Sequence, residues 1–157
     1  MSAMNTPGQE SDIDVVKERR IVVGIDGSDA SLAALEWAAR QAEFIDASLH
    51  VVAAWEWPTS FGWSLIPEGF DPAGDAKGMI DPLITALRAA HPRIDVVAKI
   101  VEGHPAPVLI QESSGAELLV VGSRGHGEFV GMLIGSTSEH CVANARCPVV
   151  VFREKSR

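Results

Sequence analysis

Positive charge is scarce in this sequence. Lys and Arg together number 13 against 21 Asp and Glu, which gives a formal net charge of −8 at pH 7. A protein that binds nucleic acid or an anionic membrane needs a broad basic surface, and this charge balance argues against one. We therefore expect neither nucleic acid nor a membrane among its partners.

Long apolar runs and cysteines are also scarce. No segment has the roughly 20 consecutive apolar residues of a transmembrane helix, and the first residues are polar, unlike a signal peptide. These two absences lead us to expect a cytoplasmic protein. The two cysteines, Cys141 and Cys147, lack the spacing of a zinc site. Isolated cysteines of this kind are most often buried packing residues, with a redox switch as the alternative.

Two common phosphate-binding motifs are missing as well. Gly122 and Gly127 have the separation of the two P-loop glycines, but Glu128 occupies the position of the lysine and would repel phosphate. The dinucleotide fingerprint requires Gly-x-Gly-x-x-Gly after the first strand, whereas this chain has Gly24-Ile25-Asp26-Gly27 there. The P-loop is therefore excluded by its missing lysine, and the dinucleotide fingerprint by its spacing.

Strand and helix patterns alternate along the chain, which predicts a parallel sheet. With 157 residues, of which 46% are apolar, the chain is long enough for one sizeable core. We expect residues 1–18 to form a disordered tail and residues 19–157 a single domain. The predicted strands are Arg20–Ile25, Ser48–Trp55, Ile94–Val101, Glu117–Val121 and Val149–Phe152. The predicted helices are Asp29–Phe44 with Ser28 as N-cap, Met79–Ala90 with Pro82 in its first turn, one that starts at Pro105, and one near Gly135.

One glycine-rich segment connects the fourth strand to the last helix. Its Gly122, Gly125, Gly135 and Ser136 fit the spacing Gly-x2-Gly-x9-Gly-Ser. The first two glycines allow backbone torsions that other residues avoid and let phosphate oxygens approach the chain. The last two residues lie near a helix start, where N–H groups and the helix dipole attract an anion. The segment therefore predicts a nucleotide phosphate site, with an ordinary surface loop as the alternative.

At these residues the chain resembles the universal stress protein family, and in particular its ATP-binding branch. Four segments carry the resemblance, namely Ile21–Ser28, Leu49–Trp55, Gly103–Pro105 and the glycine-rich segment. The resemblance implies an α/β fold: an open, doubly wound, Rossmann-like sheet of five parallel strands in the order 3-2-1-4-5, with helices on both faces. It also implies a nucleotide-responsive regulator of stress adaptation that binds ATP, with Mg²⁺ carried by the phosphates, and hydrolyses it slowly or not at all.

The candidate ligand residues lie at the ends of the first, second and fourth strands. In an open parallel sheet, ligands bind beyond the carboxyl ends of the strands, where the winding reverses. Asp26 can accept from a ribose hydroxyl or the adenine amine, or it simply closes a turn, and Ala54 matches the family position beside adenine. The full candidate set is Gly24, Asp26, Ala54, Gly122, Ser123, Arg124, Gly125, His126, Gly127, Gly135, Ser136 and Thr137. No catalytic base and no metal ligand is predicted.

Two other functions agree with the same sequence. The loop Gly27–Ser31 is faintly similar to that of ATP pyrophosphatases, although it lacks their paired glycines, so an adenylyl-transferring enzyme is one alternative. A nucleotide-free dimerisation module of the same fold is the other. The segment Glu56–Lys77 is rich in proline, glycine and aromatics, and its aromatics either fold over a bound base, pack against a partner, or close the end of the sheet beside the second helix.

The fifth strand predicts how two copies assemble. Val149, Val150, Val151 and Phe152 form an apolar strand that the implied strand order places at a sheet edge. An unprotected apolar edge favours pairing with another chain, and a two-fold axis pairs the same strand with itself. We therefore expect a homodimer through this strand.

Overall fold

The computed structural model describes residues 18–58, 66–125 and 134–153. Its elements follow one another in the order β1 (Arg20–Gly24), α1 (Asp29–Ile45), β2 (Ser48–Trp55), α2 (Pro72–Ala90), β3 (Val96–Glu102), α3 (Pro105–Glu112), β4 (Leu118–Gly122), α4 (Ser136–Asn144) and β5 (Val149–Phe152). The predicted tail lies outside the described residues except for its last residue. Strands and helices alternate as the sequence predicts.

The strands form one sheet in the order β3-β2-β1-β4-β5, and every pairing is parallel. This order confirms the predicted 3-2-1-4-5 arrangement. The centre of the sheet is β1, where Val23 lies opposite Val51 on one side and Val120 on the other. Because β1 pairs with both β2 and β4, the winding of the chain reverses at β1, which leaves a crevice at the carboxyl ends of β1 and β4.

Two apolar layers enclose the sheet. Val23 and Leu49 face α1 and α2, whereas Val22 and Leu119 face α3 and α4, and all four side chains are completely buried. Central strands of this kind need apolar residues on both faces, since helices cover each side. Within the described part of the chain, no helix is long and apolar enough to span a membrane.

Both cysteines are free thiols in the structure. Cys141 is buried in the layer beside α3, and Cys147 packs against the same layer while half-buried. Burial raises the pKa of the Cys141 thiol to about 11. The reactive thiolate of Cys141 is therefore scarce at neutral pH, as suits a residue that contributes to packing.

The first helix begins and ends where its sequence predicts, to within one residue. Ser28 is its N-cap, and the Ser28 hydroxyl accepts a hydrogen bond from the Ser31 amide. Its far end closes at Asp46, whose φ of 54° gives the left-handed conformation typical of a residue after a helix. The cap fixes the direction in which α1 leaves the end of β1.

The second helix is where the sequence-based prediction is wrong. It begins at Pro72, about two turns before the predicted start, and Pro82 lies in its interior rather than in its first turn. Asp71 caps it through an Oδ1 that accepts from the Gly74 amide at 2.9 Å. Burial of Ile80, Ile84 and Leu87 against the sheet stabilises a helix whose glycines and proline favour a loop.

Three aromatic rings stack along the segment that joins β2 to α2. Trp57 meets Trp55 edge-on with ring centroids 5.9 Å apart, and the centroid of Phe70 lies 6.0 Å from that of Trp57 with the two rings tilted. The predicted aromatics Phe61 and Trp63 lie outside the described residues. The three described rings pack on one another at the end of β2.

Candidate functional site

A cavity of about 460 Å³ opens at the carboxyl edge of the sheet, between the ends of β1 and β4. It lies at the crevice where the winding reverses, and its volume falls within the range of small-molecule sites. The predicted site residues that line it are Gly24, Asp26, Ala54, Gly122, Arg124, Gly125, Ser136 and Thr137. The structure thus brings residues from three separate strand ends to one cavity.

Ser123 and Gly135 lie behind the cavity wall. The amide of Ser123 donates to the Phe152 carbonyl at 2.7 Å, and the amide of Gly135 donates to the Ser123 carbonyl at 2.6 Å. These two bonds tie the end of β4 to β5 and to the start of α4, so both residues position the wall. His126 and Gly127 lie outside the described residues.

Close packing, and not unusual torsion, explains two of the site glycines. A Cβ on Gly122 would lie 2.9 Å from the Ala30 carbonyl carbon and from the Ser31 amide nitrogen, and a Cβ on Gly24 would lie 2.7 Å from Leu109 Cδ1. Neither glycine has a positive φ. The sequence-based explanation, that special torsions require the first glycine of the segment, is therefore wrong. Glycine at 122 lets β4 approach the backbone of α1.

Asp26 closes the turn between β1 and α1. Its Oδ1 accepts from the Ser28 amide at 2.9 Å and from the Ser28 hydroxyl at 2.5 Å. The same hydroxyl lies 3.4 Å from the Arg124 carbonyl, which links this turn to the glycine-rich segment. Asp26 Oδ2 borders Gly125 so closely that a Cβ there would lie 2.4 Å from it. Asp26 therefore has the turn role that the sequence left open, while it also lines the cavity.

The start of α4 is anchored to the end of β4. The buried Ser138 hydroxyl donates to the Gly122 carbonyl at 2.5 Å. Gly135 is the N-cap residue, so Ser136 and Thr137 form the first turn and line the cavity. The first turn of a helix carries N–H groups without intrahelical acceptors and the positive end of the dipole. This anchor directs that positive end into the cavity.

Two more helices start at the same cavity. The N-cap of α1 is Ser28 and the N-cap of α3 is His104, and both residues line it. With α4, three helix N-termini therefore converge on one space. Each contributes a partial positive charge, and together they form a site suited to an anion such as phosphate.

Sequence reasoning missed several lining residues, including Ser28, Ser31, Glu56, His104 and Ser138. The lining residues at the starts of α1 and α3 could have been predicted from the strand order. In a parallel sheet every helix that follows a strand starts at the carboxyl edge, so α1 and α3 both begin beside the crevice. Glu56 and Ser138 depend on how the chain continues past β2 and along α4, which no motif indicates.

The charged groups of the wall divide by sign. Arg124 supplies one cation, whereas Asp26 and Glu56 supply two carboxylates, among the lining residues that the structure describes. The helix starts favour phosphate, and the carboxylates favour groups that donate hydrogen bonds, such as hydroxyls or an amine. The described residues contain no group of three His, Cys, Asp or Glu side chains arranged to hold a metal ion. The wall suits a ligand with an anionic end and a donor-rich end.

Sequence comparisons relate this chain to known proteins. The profile of the universal stress protein family matches residues 18–153. Universal stress protein Rv2623 from Mycobacterium tuberculosis strain H37Rv is 34% identical over 140 residues, which cover 85% of this chain and 45% of that protein. The chain thus spans about half the length of the curated relatives it matches.

Solved structures have the same fold. UspA from Lactobacillus plantarum superposes with a TM-score of 0.77 at 25% identity and covers 87% of this chain and 98% of its own. A universal stress protein solved in complex with cAMP has a TM-score of 0.64, also at 25% identity, and covers 85% and 95%. The second protein binds a cyclic adenine nucleotide.

Proposed function

The chain belongs to the universal stress protein family, and we propose that it binds an adenine nucleotide, with ATP as the ligand, in the cavity at the ends of β1 and β4. The observation that carries the proposal is the convergence of three helix N-termini beside the end of the glycine-rich segment. Positive helix ends are a common means of binding phosphate. The cAMP complex of a similar protein supports the choice of an adenine nucleotide.

The orientation proposed for the nucleotide follows from the two parts of the cavity wall, one at a helix start and one with carboxylates. The phosphates lie against Ser136, Thr137 and Arg124, where the positive end of α4 opens into the cavity. The ribose and adenine lie toward Asp26 and Ala54, because a carboxylate accepts from hydroxyl or amine donors and a small apolar residue leaves room for a flat ring. Mg²⁺ carried by the phosphates would reduce the net negative charge of the ligand.

The proposed role is that of a nucleotide-responsive regulator of stress adaptation. Phosphoryl transfer needs a positioned base, metal ligands and charge stabilisation, whereas the wall supplies an anion cradle. We propose slow or negligible hydrolysis, a cytoplasmic location, one nucleotide-binding domain over residues 19–157, and a homodimer through β5. Release of pyrophosphate on incubation with ATP would instead support an adenylyl-transferring enzyme.

Filling the adenine end of the cavity tests the proposal. Ala54→Leu adds bulk to a half-buried lining residue, so ATP affinity should fall at least about tenfold, or about 1.4 kcal/mol. Isothermal titration calorimetry with Mg²⁺ and ATP measures the change. The control is Ala90→Leu, the same substitution at an exposed position at the end of α2, which should leave the affinity unchanged.

Thermal unfolding gives a second readout. Binding to the folded state alone adds about 2.7 kcal/mol at a hundredfold excess of ligand over its Kd, so ATP should raise the Tm. GTP should raise the Tm less if the site selects adenine.

Equal ATP affinities for Ala54→Leu and the unmodified protein in the calorimetric titration, with both folded, would exclude this cavity as the nucleotide site.

A further inference from the structure

An exposed aromatic surface lies beside the cavity and is not explained by nucleotide binding. Trp57 is 46% exposed and Phe70 is 37% exposed, although both belong to the stack that Trp55 begins. Neither Trp57 nor Phe70 lines the cavity. We call the surface of Trp55, Trp57 and Phe70, with the acidic residues that flank them, the aromatic edge. Neighbouring exposed aromatic rings of this size are typical of interaction sites.

The charge around these rings has one sign. Across residues 55–58, 66–76 and 100–104, the Asp and Glu residues have no Lys or Arg among them, and all of them are exposed; they are Glu56, Glu68, Asp71, Asp75 and Glu102. Lys77, the next cation along the chain, forms an ion pair with Asp81 on the following turn of α2. These segments of the aromatic edge therefore carry a net negative charge.

The fold itself brings these residues together. Glu56 and Trp57 directly follow β2, and Glu102 ends β3 opposite Trp55 in the register of the two strands. Phe70 contacts Trp57, while Asp71 and Asp75 belong to the N-terminal end of α2. Segments from three parts of the chain thus form one acidic surface with two exposed rings.

We propose that the aromatic edge docks an arginine- or lysine-containing segment of a partner protein. The faces of aromatic rings attract cations, and a neighbouring carboxylate strengthens that attraction by pairing with the same cation. Nucleic acid and anionic lipid are repelled by the same carboxylates. A cationic segment is the occupant whose charge and apolar stems match both features of this surface.

The test is fluorescence anisotropy with a labelled peptide that alternates arginine with leucine. The peptide should bind the full chain, and the same peptide with glutamate in place of arginine should not. Replacing both exposed rings in Trp57→Ser/Phe70→Ser should weaken binding about five- to tenfold. Neutralising the flank in Glu68→Gln/Asp71→Asn/Asp75→Asn should also weaken binding, and it should reduce the dependence of affinity on salt.

Matched controls separate docking from folding. Phe44→Ser removes an aromatic ring that is 85% exposed on α1, away from this surface, and should not alter peptide affinity. Trp57→Phe retains a ring and should bind within about twofold of the unmodified protein. If Trp57→Ser/Phe70→Ser does not fold, Glu68→Gln/Asp71→Asn/Asp75→Asn still tests the proposal.

Three results would overturn the proposal. The first is equal binding of the arginine and glutamate peptides, and the second is peptide affinity that survives loss of both rings or of the flanking charges. The third is self-association in sedimentation that Trp57→Ser/Phe70→Ser abolishes, since it would assign the aromatic edge to a second copy of this chain.

Discussion

Gly122 both lines the candidate ligand cavity and lies in close contact with the backbone of α1. The position of its absent Cβ is occupied by backbone atoms of Ala30 and Ser31, which cannot move without displacing α1. Gly122→Ala should therefore destabilise the protein by about 1–3 kcal/mol, the usual cost of overpacking. Urea unfolding measures this loss.

The control for that substitution lies in α2. Gly78 is exposed, and a Cβ there would meet nothing within 4 Å. Because alanine is the better helix former, Gly78→Ala should stabilise the protein by about 1 kcal/mol. A Gly122→Ala variant as stable as the unmodified protein would mean that α1 yields at this contact, and that any loss of ATP affinity came from the ligand site itself.

Among the elements, α2 departs furthest from its local sequence preference. Pro82 lacks the N–H that would donate to the Gly78 carbonyl, and Gly74 adds a further cost in the first half of the helix. We expect Pro82→Ala to raise the free energy of unfolding by up to about 3 kcal/mol. Hydrogen exchange should also slow for the amides of residues 74–81, while those of α1 serve as the internal reference.

A Pro82→Ala variant with unchanged exchange in α2 would show that a bend of the helix already compensates for the missing bond. In that case Gly74 and Gly78 alone would account for the low helix preference of the first half of α2.

The local sequence pattern is sufficient to predict the bounds of α1 but not those of α2, and the difference has a physical reason. The first helix combines a serine cap with a continuous apolar stripe, so Ser28, Leu35 and Ala38 indicate it without tertiary information. In α2 the residues Gly74, Gly78 and Pro82 favour a loop, and burial of Ile80 and Ile84 outweighs them. That burial depends on the position of β2 and β3, which no local window of sequence contains.

At the scale of the whole molecule, β5 is the edge strand and determines the expected assembly. Val150 pairs with Val120 of β4 on one side, and the other side of β5 has no strand partner within the described part of the chain. A lysine on an edge strand opposes pairing with another chain. Val150→Lys should therefore convert the expected homodimer to monomers, as measured by light scattering.

The control is Val142→Lys, which places the same charge on the exposed face of α4. It should leave the molecular mass unchanged. An unmodified protein that is monomeric at high micromolar concentration would contradict the homodimer directly.

The strand order made part of the cavity predictable, because Gly24 and Gly122 end strands that meet at one edge and Asp26 follows the first of them. The reason for glycine at 122 was not predictable. It depends on how closely β4 approaches α1, a distance set by packing between residues far apart in sequence. For the aromatic edge, the sequence already left a partner contact open as one role of the rings, but it did not place Glu102 beside Trp55, which depends on the register of β2 and β3.

The pairing of β1 with β4 also has a consequence for how the protein is made. A ribosome releases β1 well before its partner β4 and the first turn of α4, because helices and strands of the same domain lie between them in the chain. Until then the cavity lacks one wall, so a nascent or truncated chain has no complete site for a ligand. Long-range pairing of this kind also slows folding, so any ligand of this cavity would bind only after β4 and α4 have joined the sheet.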